Sequence, residues 1–392
     1  MRILYLSISF DEKGDNLYNN LVDSLLRRNH SITIVKADIN SNTLNIKTDN
    51  YRILNVKTGN PFEHNLIKKG INQLLLQKYF KKAITKNLND EKFDLILYAT
   101  PPITLYKVIE YCKEKYKAKT FLMLKDIFPQ NAVDLDMFTK NSLIYKYFRN
   151  QEKKYYEVSD YIGCMSKGNI DYLLKHNHDL SDKKVGLFYN SIRVDTQLET
   201  DFNKDKTIFL FGGNLGKPQN ISFLLKVIYR LKNYPNAYFK IVGKGTEQGI
   251  INEFVNKYSL SNLEYIEYLS SDKYEKILRN ADVGLISLDP RFTIPNIPSK
   301  FQSYLRQKKP VLAITDCNTD IKNMILDNEC GWWIKAVNEE NVANVIKQIC
   351  ENKESQIQKG KNGFKYFVKE FDVEKNVDIL EKFMEENSNE SI

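Results

Sequence analysis

The chain has 392 residues, enough for two domains of ordinary size, and its composition is globular rather than fibrous or disordered. No apolar run approaches the roughly 20 residues of a membrane-spanning helix. The opening MRILYLSISF reads as a strand without a small-residue cleavage site, so no signal peptide is expected. The net charge of +9 is uneven: residues 1–200 hold 31 Lys+Arg against 23 Asp+Glu, and residues 201–392 hold 27 against 26. A basic first half suits an anionic membrane surface or nucleic acid, and an ordinary lysine-rich surface equally well. Five scattered cysteines without a CxxC pair fit a reduced, cytoplasmic protein without structural zinc.

In chain order, Arg2–Ser7 reads as a buried strand, followed by a polar loop with Gly14. A helix is expected over Asn16–Arg28, with Leu17, Leu21 and Leu25 on one face, then a strand over Ser31–Val35. Strand, helix, strand predicts a parallel sheet. Phe93–Ala99, Thr120–Leu124, Tyr161–Met165 and Val185–Tyr189 are further strands. The second half repeats the alternation, with strands at 207–211, 238–242, 263–266, 282–286 and 310–314. The tail Lys361–Glu386 reads as helical. The pattern predicts two doubly wound α/β domains, residues 1–195 and 196–392, with a cleft at the carboxyl ends of their strands, where ligands of such sheets bind. The last helix is allowed to pack back on the first domain.

Three loops of the second half carry chemistry. Gly212-Gly213-Asn214-Leu215-Gly216 joins a strand to a helix that starts near Asn220. Gly243-Lys244-Gly245-Thr246-Glu247 does the same after YFKIV. Glycine turns at strand ends let a backbone approach an anion, and a helix start offers it N–H groups. Ile297-Pro298-Ser299-Lys300 is the third; its Ser and Lys at a helix start suit a diphosphate, or simply a capped surface helix. Neither a full GxGxxG nor a P-loop is present. In the first half, Lys125-Asp126 follows the strand TFLML. Asp134-Leu135-Asp136 matches a metal-binding DxD by letter only, and no metal is expected. Two lysine- and aromatic-rich segments, Leu66–Ile84 and Leu143–Tyr156, are either membrane-surface helices or helices covering the sheet. The second reading is favoured for Leu143–Tyr156. No RNA or DNA module is found, so nucleic acid is not expected as a partner.

The order FGGNLGKPQN, IVGKGTE, IPSKFQSYLRQKKPVLAI and ECGWWI resembles the second half of family 4 glycosyltransferases of the GT-B fold. MRILYLS, LKDIFPQNAV and NSIRVD extend the likeness more loosely over the first half. The resemblance is to the branch that builds bacterial capsule and O-antigen sugars, including transferases of N-acetyl-fucosamine-type sugars. It implies retaining transfer, without a metal, from a nucleotide-diphosphate sugar, with UDP favoured, to a polyprenyl-diphosphate-linked saccharide at the inner membrane surface. The enzyme would then be peripheral on the cytoplasmic face.

Carried over, Gly212, Gly213 and Asn214 face the donor diphosphate, and Lys300, with Pro298 and Ser299, pairs with it. Gly243, Lys244, Gly245, Glu247 and Leu269 lie near base and ribose. Lys125 and Gly14 lie on the acceptor side. Asp126 orients the acceptor hydroxyl or acts as base, or it is a cap or ion-pair partner. Where the family has two glutamates, this chain has Pro295 and Ser303, and Asn214 and Gln219 stand near its phosphate-loop cations. Lys217 and Arg291 are the candidates for replacing that charge, and the loop is expected to hold phosphate by backbone N–H groups. Two other readings remain: a nucleotide-sugar epimerase, and a non-catalytic sugar-nucleotide-binding subunit.

Overall fold

The structure is a computed structural model, and it describes residues 1–12, 16–60, 66–180, 184–194, 205–295 and 297–389. The chain forms two compact units, Met1–Tyr189 with Val373–Ile392, and Asn190–Asp372. The first unit therefore ends at Tyr189, and the chain returns to it at Val373.

The first unit is built on eight strands. They are β1 (Arg2–Ser7), β2 (Ser31–Asp38), β3 (Thr43–Thr48), β4 (Tyr51–Lys57), β5 (Leu95–Ala99), β6 (Lys119–Leu124), β7 (Tyr161–Cys164) and β8 (Val185–Leu187). Their order is β3-β4-β2-β1-β5-β6-β7-β8. All pairs are parallel except β3 with β4. The central strands are apolar throughout because helices cover both faces. The sequence reading contains neither β3 nor β4: TLNIKT is polar and mostly exposed, so it carries little apolar pattern.

The helix Val373–Asn389 completes this unit's core. Its Val373, Val377, Leu380 and Phe383 pack with Ile3, Leu25 and Phe121 of the first unit. Phe383 meets the Phe121 ring at 5.7 Å and the Tyr161 ring at 5.5 Å. Arg28 fixes the helix from outside, bonding Glu374 at 2.9 Å, Asp378 at 2.7 Å and Glu381 at 2.8 Å. The expected single tail helix is two, Lys353–Glu370 and Val373–Asn389. The break falls at Phe371-Asp372, where Ile192 N–H donates to Phe371 O at 3.1 Å.

The second unit has six parallel strands: β9 (Thr207–Gly212), β10 (Ala237–Val242), β11 (Leu263–Ile266), β12 (Val283–Ser287), β13 (Val311–Thr315) and β14 (Gly331–Lys335). The order is β11-β10-β9-β12-β13-β14. Counted within the unit this is 3-2-1-4-5-6, the dinucleotide-fold order, and its switch point lies between β9 and β12. Phe209, Phe211 and Leu285 pack there against Ile221, Leu224 and Ile228 of the helix Ile221–Arg230.

Candidate functional site

The loops at the carboxyl ends of β9, β10 and β12 meet at the switch point of the second unit. Gly213 has φ +116 and Gly243 φ +153, a region that side chains rarely adopt. A Cβ on Gly243 would sit 1.8 Å from Gly213 O, so the two loops approach this closely only because Gly243 has no side chain. Backbone bonds then tie them together. Gly213 N–H donates to Val242 O at 2.9 Å, Leu215 N–H to Lys244 O at 3.0 Å, and Glu247 N–H to Leu215 O at 2.9 Å.

These bonds change the expected use of the first loop. The N–H groups of Gly213 and Leu215 are committed to the neighbouring loop. Gly212 N–H donates to Tyr304 Oη at 3.2 Å, and Gly216 N–H to Gln219 Oε1 at 3.1 Å. Of the five amides from Gly212 to Gly216, only that of Asn214 has no such internal acceptor among the described residues. The expected phosphate cradle of loop N–H groups is therefore corrected to a rigid wall. At the following helix start the Ile221 N–H faces the Glu247 carboxylate. Burial raises the Glu247 carboxyl, and that N–H and Lys217 oppose the rise.

Lys300 brings an amine to this wall. Its side chain leaves the first turn of the helix Lys300–Arg306 and lies over the Phe211 ring, with Nζ 3.7 Å from the centroid. Nζ is buried without a hydrogen-bond partner among the described residues, while part of the stem reaches solvent. Burial lowers its pKa to about 7. The Lys300 Cε is 4.0 Å from where a Cβ of Gly213 would stand, which places the amine stem beside the glycine turn. An ammonium held this way is deprived of water and counter-charge, and an arriving anion supplies what it lacks.

Tyr304, one turn further, anchors the arrangement. Its hydroxyl donates toward Leu210 O at 2.9 Å and lies 3.2 Å from Leu285 O, joining β9, β12 and this helix. Ser287 Oγ, at the end of β12, is also buried without a partner.

The other expected donor residues fall less tightly. Arg291 is corrected as a free cation: Nε lies 2.9 Å from Asp289 Oδ1 and Nη2 2.6 Å from Oδ2. Lys217 is exposed on the short turn Lys217–Gln219. Lys244 lies over the exposed ring of Tyr268 at 4.9 Å. Leu269 is half-buried in the loop three residues after β11. Pro298 O accepts from Phe301 N–H at 2.9 Å. Ser299 is exposed and precedes the helix without a side-chain cap bond, so the capping role considered for it is not formed. Ser303 is half-buried, one turn after Lys300.

The first unit has a second buried amine at a strand end. Lys125 follows β6; its Nζ is 3.5 Å from Phe188 O and 5.3 Å from that ring's centroid. Burial lowers its pKa to about 7. Asp126 beside it is raised to about 6 by burial, against the opposing bond from Asn131 Nδ2 at 2.7 Å. Thr100 Oγ1 accepts both backbone N–H groups, from Lys125 at 2.9 Å and Asp126 at 3.0 Å. That fixes the turn that presents them. The sequence reading missed Thr100, Asn131 and Tyr304. Thr100, at the end of a buried strand before Pro101-Pro102, had the clearest signal. Gly14 lies outside the described residues.

No cluster of three or more His, Cys, Asp or Glu suited to a metal occurs among the described residues. In the DxD-like stretch, Asp134 accepts from Gln130 Nε2 at 2.7 Å, and Asp136 has a left-handed backbone with φ +56. All five cysteines are free thiols.

Two parallel-sheet α/β units of this kind make the fold GT-B, the class to which glycosyltransferases among its structural relatives belong. Residues 195–366, most of the second unit, match the family described as "Glycosyl transferases group 1". A probable glycosyltransferase of Pseudomonas aeruginosa, WbjE, is 23% identical over 300 residues, covering 74% of each chain. Among solved structures, the sucrose-phosphate synthase of Thermosynechococcus elongatus superposes with a TM-score of 0.79 at 14% identity, covering 99% of both chains. Anabaena HepE in complex with UDP-glucose superposes with a TM-score of 0.69 at 13% identity, covering 98% of this chain and 99% of that one. The family match and the curated relative support glycosyltransferase chemistry.

Proposed function

We propose that the protein transfers a sugar, with retention of stereochemistry, from a nucleotide-diphosphate sugar held by the second unit. The observation that carries this reading is Lys300: a buried amine without a hydrogen-bond partner among the described residues, beside two interlocked glycine turns at the switch point of a dinucleotide-type sheet. A nucleotide would place its diphosphate there. Lys300 would take the charge that builds on the leaving diphosphate, as fixed cationic groups do at transferring phosphoryl oxygens. Gly243–Glu247 and Leu269 would border ribose and base. The UDP-glucose bound by HepE favours a UDP-sugar, and an N-acetylated hexose or deoxyhexose suits the branch that the motifs resemble.

The acceptor is proposed to be a polyprenyl-diphosphate-linked saccharide of capsule or O-antigen assembly, used at the cytoplasmic face of the membrane. Lys125 would meet its anionic part. Asp126, half-ionised near pH 6, would orient the acceptor hydroxyl or take its proton. No helix among the described residues is long and apolar enough to cross a membrane, so any membrane association in this reading is peripheral. The test is a thermal-shift panel of UDP-, GDP- and dTDP-sugars. A donor that binds only the folded chain raises its melting temperature by mass action. No response to any of them would overturn the reading.

A further inference from the structure

We propose that the first unit docks on an anionic lipid bilayer through the segment Met137–Tyr147. The proposal rests on the reading that the acceptor is lipid-linked, and it says where the chain would meet the lipid. Four apolar side chains stand out in these eleven residues: Leu143 is 83% exposed, Met137 64%, Ile144 55% and Tyr147 41%. Single exposed apolar residues are common, but Leu143, Ile144 and Tyr147 share the first turn or so of one helix, with Met137 six residues before it, and such a cluster marks a contact.

The patch is rigidly mounted. Ser142 Oγ accepts from Tyr145 N–H at 3.1 Å and donates to Thr139 O at 2.7 Å, which fixes the start of the helix Leu143–Val158. Beneath it Phe128 packs edge-on against Phe148 at 5.0 Å and Phe138 at 6.2 Å. Phe128 is two residues from Asp126, so the patch and the proposed acceptor groups share one scaffold.

The charge of the surface selects its occupant. From Met137 through Gln151 there are Lys140, Lys146 and Arg149 and no Asp or Glu; Asp136 and Glu152 bound the stretch. Glu152 is buried and bonds Arg149 at 2.6 Å, so that pair is spent internally. Lys140 and Lys146 are exposed and have no ion-pair partner among the described residues. Apolar residues that reach the acyl boundary and lysines that meet phosphate head groups are what an interfacial surface combines.

The described part of the other basic segment offers less of this, with Leu75 38% and Tyr79 36% exposed. In the described part of the helix Leu66–Asn87, Leu76, Phe80, Ala83 and Ile84 are buried. Lys81 lies over the Tyr111 ring at 4.5 Å. Its apolar face is used against the sheet. The preference stated above, that Leu143–Tyr156 merely covers the sheet, is thereby reversed for the start of that helix.

The test is co-sedimentation of the full chain with phosphatidylcholine vesicles, with and without about 30% phosphatidylglycerol. The expected result is binding to the anionic vesicles that weakens with salt. L143E/I144E should lower the affinity about tenfold or more, and K140E/K146E should remove the preference for anionic lipid. L75E/Y79E, on the packed helix, should bind as the wild type does. Unchanged binding of L143E/I144E, or no binding by the wild type, would overturn the proposal. Donor-induced thermal shifts measured on the same variants separate this outcome from failure of the glycosyltransferase reading, since they report the second unit alone.

Discussion

Replacing Lys300 by Met should stabilise the unliganded chain while weakening its hold on a diphosphate. The Nζ of Lys300 is buried without a partner, and burial draws its pKa from 10.5 to about 7. At about 1.36 kcal/mol per decade that interval corresponds to ~5 kcal/mol as an upper bound. Relaxation and water entry reduce the realistic penalty to about 2–3 kcal/mol. The folded pKa lies below the unfolded one, so between about pH 7 and 10.5 the unfolded chain binds more protons. Wild-type stability therefore rises with pH across that window, and the full penalty is present below it. The Met variant should be the more stable protein at pH 6 by about 2–3 kcal/mol, and the gain should shrink toward zero near the unfolded pKa. Urea unfolding from pH 6 to 9 measures this, with hydrogen exchange at Phe209–Gly213 reporting the second unit. In the same variant, sugar transfer should fall by roughly 10²–10³ as one fixed charge is lost from the leaving group. A variant less stable than wild type at pH 6, or a stability difference independent of pH, would refute the account of this lysine.

Asp126→Asn should abolish the acid limb of the transfer profile. Burial raises this carboxyl to about 6, so its ionised, proton-accepting form fills as pH rises through that value, and wild-type kcat/KM should rise with it; an unchanged limb in the variant would remove Asp126 from the chemistry. Gly243→Ala places a Cβ 1.8 Å from Gly213 O at φ +153, so the variant should melt lower and lose its UDP-induced thermal shift. Tyr304→Phe removes a buried hydroxyl shared by Leu210 O, Leu285 O and Gly212 N–H; about 1–3 kcal/mol of stability should be lost in urea unfolding, and a smaller loss would mean that the helix is held by packing alone.

Much of the alternation was legible because a parallel sheet covered on both faces writes itself as apolar runs. TIFLF, YFKIV and PVLAI are such runs, and each contains most of a strand of the second unit. The edge escaped because β3 is mostly solvated: its Leu44 and Ile46 alternate with polar residues over a stretch too short to stand out as the buried runs do. The break at Phe371-Asp372 was hidden because helical periodicity continues across it on both sides. At the site, the two glycine turns and the Pro-Ser-Lys block were readable as chemistry. Their hydrogen-bond economy was not. Which amide of FGGNLG is free depends on a loop some thirty residues away. The pairing of Arg291, by contrast, is local: Asp289 is two residues off, and Asp-Pro-Arg already allows a turn that closes on itself.

The return of Val373–Asn389 to the first unit has a consequence for how the molecule is made. A ribosome releases residues 1–189 long before it reaches Val373, so the unit translated first cannot close its core until residues 373–389 have followed. The second unit, continuous from Asn190 to Asp372, has all of its strands beforehand. In synthesis, then, the order is reversed: the later-encoded unit is able to mature first, while the earlier one waits with Leu25 and Phe121 uncovered. Truncation after Asp372 would damage the amino-terminal unit and spare the one in which the chain then breaks off.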